Sequence, residues 1–197
     1  MTTHTDETHT DDRTPTDRTG TDRASTGRTD RTDRPGHATA GYAPEHTPRL
    51  AWAEQAPEVF KAMIRLDAAA RKGLDPKLLE LVKVRASQIN RCALCVDMHS
   101  KDALAAGESV ERIVQLSAWE ESEHFYTERE LAALALTEAV TVLTDGFVPD
   151  AVYERAAAHF EDAELAQLIA AITVINAWNR FGVTCRLVPG HYQPGHK

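Results

Sequence analysis

The sequence predicts an all-α protein, with a helical domain over residues 49–197 and a disordered N-terminal tail over residues 1–48. Three observations predict it. From Leu50 onward, apolar residues recur three and four positions apart, the spacing that lines one face of a helix. Residues that start and stop helices stand between those periodic segments. Strand-like alternation of apolar and polar residues is nearly absent.

The tail is set apart by composition. Thr-Asp-Arg recurs at 16–18, 21–23, 29–31 and 32–34, mixed with Gly, Pro, Ser and His. Before Tyr42 there is no aromatic residue and no large aliphatic one beyond Met1. A segment like this buries too little apolar area to offset its conformational entropy, so disorder is expected. Its four histidines could make it a weak metal-binding tract or a tether. An inert, solubilising extension is the simpler reading.

The helices follow in order. "APEVFKAMIRLDAAARKG" sets Val59, Phe60, Met63, Ile64 and Leu66 at helical spacing and stops at Gly73. Asp75 and Pro76 then supply an N-cap and a first-turn proline for "PKLLELVKVRASQIN", whose Leu78, Leu79, Leu81 and Val82 form a broad apolar face. A helix is expected from about Cys92 to Ala106, capped by Asn90 and closed by Gly107. Ser109 caps "VERIVQLSAW". Thr127 and Glu130 form a capping box ahead of "ELAALALTEAVTVL". "DAVYERAAAHF" is a shorter helix. "DAELAQLIAAITVINAWNRFGVTCRL" is long, apolar on most of its circumference, and closed by Pro189-Gly190. Such a helix sits centrally or against another subunit.

Composition excludes several functions. The chain has 197 residues, 26% charged and 42% apolar, enough for one packed domain. Its formal charge of −8, with no cluster of Lys and Arg, speaks against a nucleic-acid surface. The N-terminus lacks the apolar core of a secretory signal, and "LAQLIAAITVI" is too short to span a bilayer. A cytoplasmic location and no membrane contact are therefore expected. Three cysteines make no disulfide framework at this size.

"NRCALCVDMH" (90–99) holds Cys92 and Cys95, with His99 four residues further on. At about 100° per residue, the three side chains fall within an arc of about 60° on one helix face. A thiol must ionise to react, and a helix N-terminus favours negative charge. His99, one turn beyond Cys95, is placed to accept its proton directly or through water. Cys92 is close enough to Cys95 to form a disulfide. Glu80, amid the leucines of the preceding helix, needs a partner if buried and can orient His99 across the helix pair, a carboxylate–imidazole–thiol relay. Its alternative is a solvated charge at the edge of that face. The stretch has two rival readings. Cys92, Cys95, His99 and Glu80 are acceptable zinc ligands, although structural Cys-x-x-Cys sites usually draw on a second Cys/His pair, which this chain lacks. Two inert core cysteines would leave the matched Glu and His unexplained. Cys185 reads as a core residue, Trp119, Trp178 and Phe181 as core or interface, and His124 as an exposed loop residue.

Glu80, eleven intervening residues, Cys92-x-x-Cys95, three more and then His99 resemble the signature of AhpD-like alkylhydroperoxidases, within the wider carboxymuconolactone decarboxylase superfamily. "LSAWEE", "ERELAALALTEAVT" and "INAWNRFGV" resemble the same group, and the likeness runs over residues 50–190. It implies an AhpD-like helical domain, a homo-oligomer (trimer or hexamer) and peroxide reduction. By carry-over, Cys95 is oxidised to sulfenic acid, Cys92 donates a proton and closes the disulfide, and His99 with Glu80 forms the relay. An external dithiol, of dihydrolipoyl or thioredoxin-like type, would reopen it, because no Gly-x-Gly-x-x-Gly nucleotide motif is present. No cofactor and no metal are expected. Leu94 departs from the group's Cys-x-His-Cys pattern, in which a second histidine joins the relay. Two other functions compete: acid–base lactone decarboxylation run by His99 and Glu80, and a zinc-binding or redox-sensing oligomer.

Overall fold

The structure is a computed structural model and describes residues 43–195. Among these there are eight α-helices and no strand. They are α1 (Trp52–Gln55), α2 (Pro57–Ala70), α3 (Pro76–Ile89), α4 (Ala93–Ala105), α5 (Val110–Gln115), α6 (Glu128–Thr141), α7 (Asp150–Ala157) and α8 (Asp162–Thr184). The all-α expectation holds. Most of the expected tail lies outside the described residues. Of the remainder, the His46 ring sits 3.1 Å from the Arg186 carbonyl oxygen, and Glu45 pairs with His191 at 3.1 Å.

Local chemistry starts the helices where the sequence placed their caps. Asp75 Oδ1 accepts a 2.9 Å hydrogen bond from the Leu78 N–H, with Pro76 in the first turn of α3. That cap is worth about 1 kcal/mol. Thr127 and Glu130 exchange the two bonds of a capping box, at 3.3 and 2.8 Å. Ser109 caps α5.

α3 is the inner helix of the site. It packs against α4, α6 and α8, and its Leu81, Val82 and Val84 have no exposed surface. α8 also packs against α2, α4, α6 and α7, which explains its apolar circumference without a second subunit. One apolar cluster joins α3, α6 and α8 through Leu79, Val82, Leu136, Leu168 and Ile172. A second gathers Leu81, Val84, Leu116, Trp119, Tyr126, Leu131 and Leu134.

Two segments depart from expectation. The helix read as "VERIVQLSAW" stops at Gln115 and continues as a 3-10 turn over Leu116–Glu121, with Ala118 at φ −136°. The break lets Leu116 and Trp119 both enter the second cluster, where Trp119 Nε1 donates to Glu138 Oε1 at 2.6 Å. On α2, Val59, Ile64 and Leu66 are each 50% exposed. Phe60 instead joins Trp52, Trp178 and Phe181 in an aromatic cluster between α1, α2 and α8. Among the described residues, no helix is long and apolar enough to cross a membrane.

Candidate functional site

The site begins at the turn between α3 and α4. Asn90 does not cap the cysteine helix, as the sequence suggested; it closes α3. The Arg91 N–H donates to the Gln88 carbonyl at 3.1 Å, and the Cys92 N–H to the Ser87 carbonyl at 3.0 Å. This is a Schellman ending, with Arg91 at φ 55° in the left-handed position that usually belongs to glycine. Cys92 therefore becomes the N-cap residue of α4, in extended conformation, and Cys95 takes the third helical position. The first-turn place that favours negative charge belongs to Cys95 rather than Cys92. The physical reason is that two residues of reversal are needed between antiparallel helices, and Asn90 and Arg91 supply them.

Cys92 and Cys95 are joined as a disulfide, with Cα atoms 5.3 Å apart. They are 1% and 6% exposed, so the sulfurs lie beneath the surface. Leu94 between them is half-buried.

Glu80 is buried, and its Oε2 lies 2.7 Å from His99 Nδ1. Burial alone would push the Glu80 carboxyl up. The hydrogen bond from His99 and its charge, with Lys83 and Arg71 nearby, outweigh that and hold it below its usual range. An ionised carboxylate only accepts, so Nδ1 carries the proton of this bond and Nε2 is the free ring nitrogen. The solvated-edge alternative for Glu80 is excluded by its burial.

Behind this pair lies a charge that sequence reasoning missed. Lys83, one turn along α3 from Glu80, is 2% exposed, with Nζ 3.4 Å from Asp67 Oδ1. Asp67 also pairs with Arg71, both from the α2 side. Burial pushes Asp67 up, but Lys83 and Arg71 bring it below its usual range. Burial lowers Lys83, against the pull of Glu80 and Asp67. Both groups are lowered, which favours the charged form of Asp67 and works against that of Lys83. We take Lys83 as an ammonium, because two carboxylates face it and each is stabilised as an anion. The one signal in the sequence was a lysine three residues after Glu80 on an otherwise apolar face.

For Glu80 and Asp67 the folded pKa is depressed. Their stabilising contribution is present above the ordinary carboxylate range and lost as pH falls through the depressed values. Urea midpoints measured against pH are expected to hold above about pH 5 and to drop steeply below about pH 4.

The C-terminal segment closes one side. The Tyr192 hydroxyl donates to Asp102 Oδ1 at 2.7 Å, Lys101 Nζ donates to the Tyr192 carbonyl at 3.1 Å, and the Gly190 N–H donates to Asp97 Oδ2 at 3.0 Å. Burial, then the hydrogen bond to Asp102 and the charges of Asp102 and Glu80, push the Tyr192 phenol up to about 12. Glu80, His99 and Asp102 bring one ligand atom each within 4.8 Å of one another. In donor type the trio suits a divalent cation. The neighbouring Lys83 ammonium works against one, and each of the three side chains already has a hydrogen-bond partner. The zinc set of Cys92, Cys95, His99 and Glu80 is not available while the sulfurs are bonded to each other.

A buried amide network fixes the turn to α8. Asn90 Nδ2 lies 2.8 Å from Asn176 Oδ1 and 2.9 Å from Asn179 Oδ1. Asn179 Nδ2 donates to Ser87 Oγ and Asn176 Nδ2 to Thr141 Oγ1, both at 3.0 Å. Two asparagines on an otherwise apolar helix were the signal, since buried amides require partners. Cys185 is buried and unpaired, as expected of a core residue. His124 stands exposed on a 3-10 turn.

Residues 57–139 match the model of the carboxymuconolactone decarboxylase family. The chain is 38% identical over 136 residues to the uncharacterized protein YdfG of Bacillus subtilis, covering 68% of this chain and 92% of that protein. Over 60 residues it is 33% identical to the alkyl hydroperoxide reductase AhpD of Coxiella burnetii, covering 29% of this chain and 34% of that one. Among solved structures it is similar to ATU0492 of Agrobacterium tumefaciens, a protein of unknown function and a candidate antioxidant defence protein AhpD. There the TM-score is 0.71 at 39% identity, over 74% of this chain and all of the other.

Proposed function

The chain belongs to the carboxymuconolactone decarboxylase family, and from that premise we propose that it is a thiol-dependent peroxidase of the AhpD-like kind. The observation that carries the reading is the Cys92–Cys95 disulfide, one helical turn from a histidine that is hydrogen-bonded to a buried glutamate. Two thiols that can close a bond, with a base held beside them, are the parts a peroxide-reducing cycle needs.

In the proposed cycle His99 Nε2 accepts the proton of the Cys95 thiol, and the thiolate attacks the distal oxygen of a small hydroperoxide. The O–O bond breaks, Cys95 becomes a sulfenic acid, and the departing alkoxide takes a proton from His99 to leave as an alcohol. Cys92 then attacks the Cys95 sulfur, and water leaves as the disulfide forms. An external dithiol, dihydrolipoyl or thioredoxin-like, reduces that disulfide by exchange and is itself oxidised. Glu80 keeps the His99 ring in one orientation throughout. Leu94 leaves this relay with a single imidazole between the cysteines and Glu80. The half-exposed Val59, Ile64 and Leu66 are surface that a contact in a trimer or hexamer would cover.

The test is a thiol titration of the reduced protein, with metal analysis, before and after an equimolar amount of hydrogen peroxide. Loss of the Cys92 and Cys95 thiols, reversed by dithiothreitol in metal-free protein, is the expected result. Thiols that survive peroxide would sink the proposal. Bound zinc in such a protein would favour the metal-binding alternative; its absence would turn attention to His99 and Glu80 as an acid–base pair.

A further inference from the structure

Gly182 lies buried in the last turn of α8, in helical conformation that any residue adopts, so backbone freedom does not account for it. In a helix interior glycine is a poorer choice than alanine. What distinguishes the position is what faces it. A Cβ built on Gly182 would stand 2.6 Å from Cys92 Sγ and 3.4 Å from Cys95 Sγ. The first distance is closer than side-chain carbons approach another atom, and the second is at van der Waals contact.

The two redox states meet that obstacle differently. In the dithiol, the Cys92 side chain can turn about χ1 to another staggered rotamer and leave the space to a methyl group. In the disulfide, the sulfur is tied to Cys95 and has no such freedom. α8 itself cannot retreat easily, because Asn176 and Asn179 bind it to the α3–α4 turn through Asn90 and Ser87. We infer that Gly182 is a positioning residue for the redox cycle, its missing side chain leaving the slot in which Cys92 closes onto Cys95. The inference rests on the reading of Cys92 and Cys95 as a working redox pair.

Gly182→Ala should therefore hinder the closing step and spare the first oxidation. After peroxide, dimedone should label Cys95 sulfenic acid in a larger fraction of the variant than of the wild type. Equilibration with dithiothreitol buffers should favour the dithiol by about tenfold more than in the wild type, the size expected of a modest overpacking. The reduced variant should melt no lower than the reduced wild type, while the oxidised variant melts lower. A merely structural role would lower both melting temperatures together and leave the redox equilibrium unchanged, and that result would overturn the inference. So would an unchanged rate of disulfide closure. If Gly182→Ala expresses poorly, pairing it with Cys92→Ala removes the opposing sulfur, and stability should return. A double variant as unstable as the single one would overturn the inference equally. Wild-type protein that forms no disulfide would fail the function reading itself, whereas wild-type closure with unaltered closure in Gly182→Ala fails only this step.

Discussion

Cys95→Ser is expected to lose peroxide reduction by about a thousandfold or more, the scale at which removal of a nucleophile leaves only binding and background reaction. A serine hydroxyl at the same place is not ionised near neutral pH and has no sulfur to oxidise. The substitution is nearly isosteric, so the fold, read by its melting temperature in the reduced state, should change little. The measurement is turnover of hydrogen peroxide or a small alkyl hydroperoxide with dithiol as the reductant. Cys92→Ser separates the two sulfurs: it should oxidise once, give dimedone-labelled Cys95, and fail to cycle. Full turnover by Cys95→Ser would remove the thiol mechanism. An acid–base reaction on a lactone, run by His99 and Glu80, would survive the substitution and is distinguished by that outcome.

Lys83→Met is expected to cost about 3–5 kcal/mol of stability, the penalty for leaving buried charge without its partner. The methionine fits the space, so the loss is electrostatic rather than a cavity. Arg71 still pairs with Asp67 and His99 with Glu80, which argues for the lower end of that range. Urea unfolding at neutral pH, with an unchanged m-value, is the measurement. A loss within the noise of the midpoint would show that the ammonium contributes nothing. The pH dependence gives a second check. Glu80 and Asp67 are held as anions partly by Lys83, so the gap between variant and wild type should be widest above the ordinary carboxylate range. It should close as acid protonates both groups. Without Lys83 the Glu80 carboxyl moves up, and the acid limb of the peroxide reaction should move to higher pH with it.

These residues divide according to how far away their partners lie. Helix starts at Asp75, Ser109 and Thr127 were legible, because a cap is satisfied by an N–H three residues away. The meeting of Glu80 with His99 was legible as an expectation, since helical register puts Cys95 and His99 on one face and a short turn sets the neighbouring helix beside it. The turn itself was misread. Asparagine is a good N-cap and also closes helices, and only the hydrogen bonds of Arg91 and Cys92 to Gln88 and Ser87 decide which role it has. That choice moved Cys95, not Cys92, into the first turn of α4.

By itself the sequence determined the helical class, most of the helix starts and the expectation that Glu80 meets His99 near Cys92 and Cys95, because periodicity, caps and spacing act within a few residues along the chain. Tertiary structure alone decided what surrounds them. Lys83 became a buried counter-charge only because α2 brings Asp67 to it. Gly182 acquired its meaning from two sulfurs far away in the chain, and Asn176 and Asn179 from Asn90 and Ser87. Tyr192 reached Asp102 only when the C-terminal segment folded back over α4. Charge compensation, steric clearance and buried hydrogen bonding depend on distances in space, and a linear pattern of residue types carries no such distances.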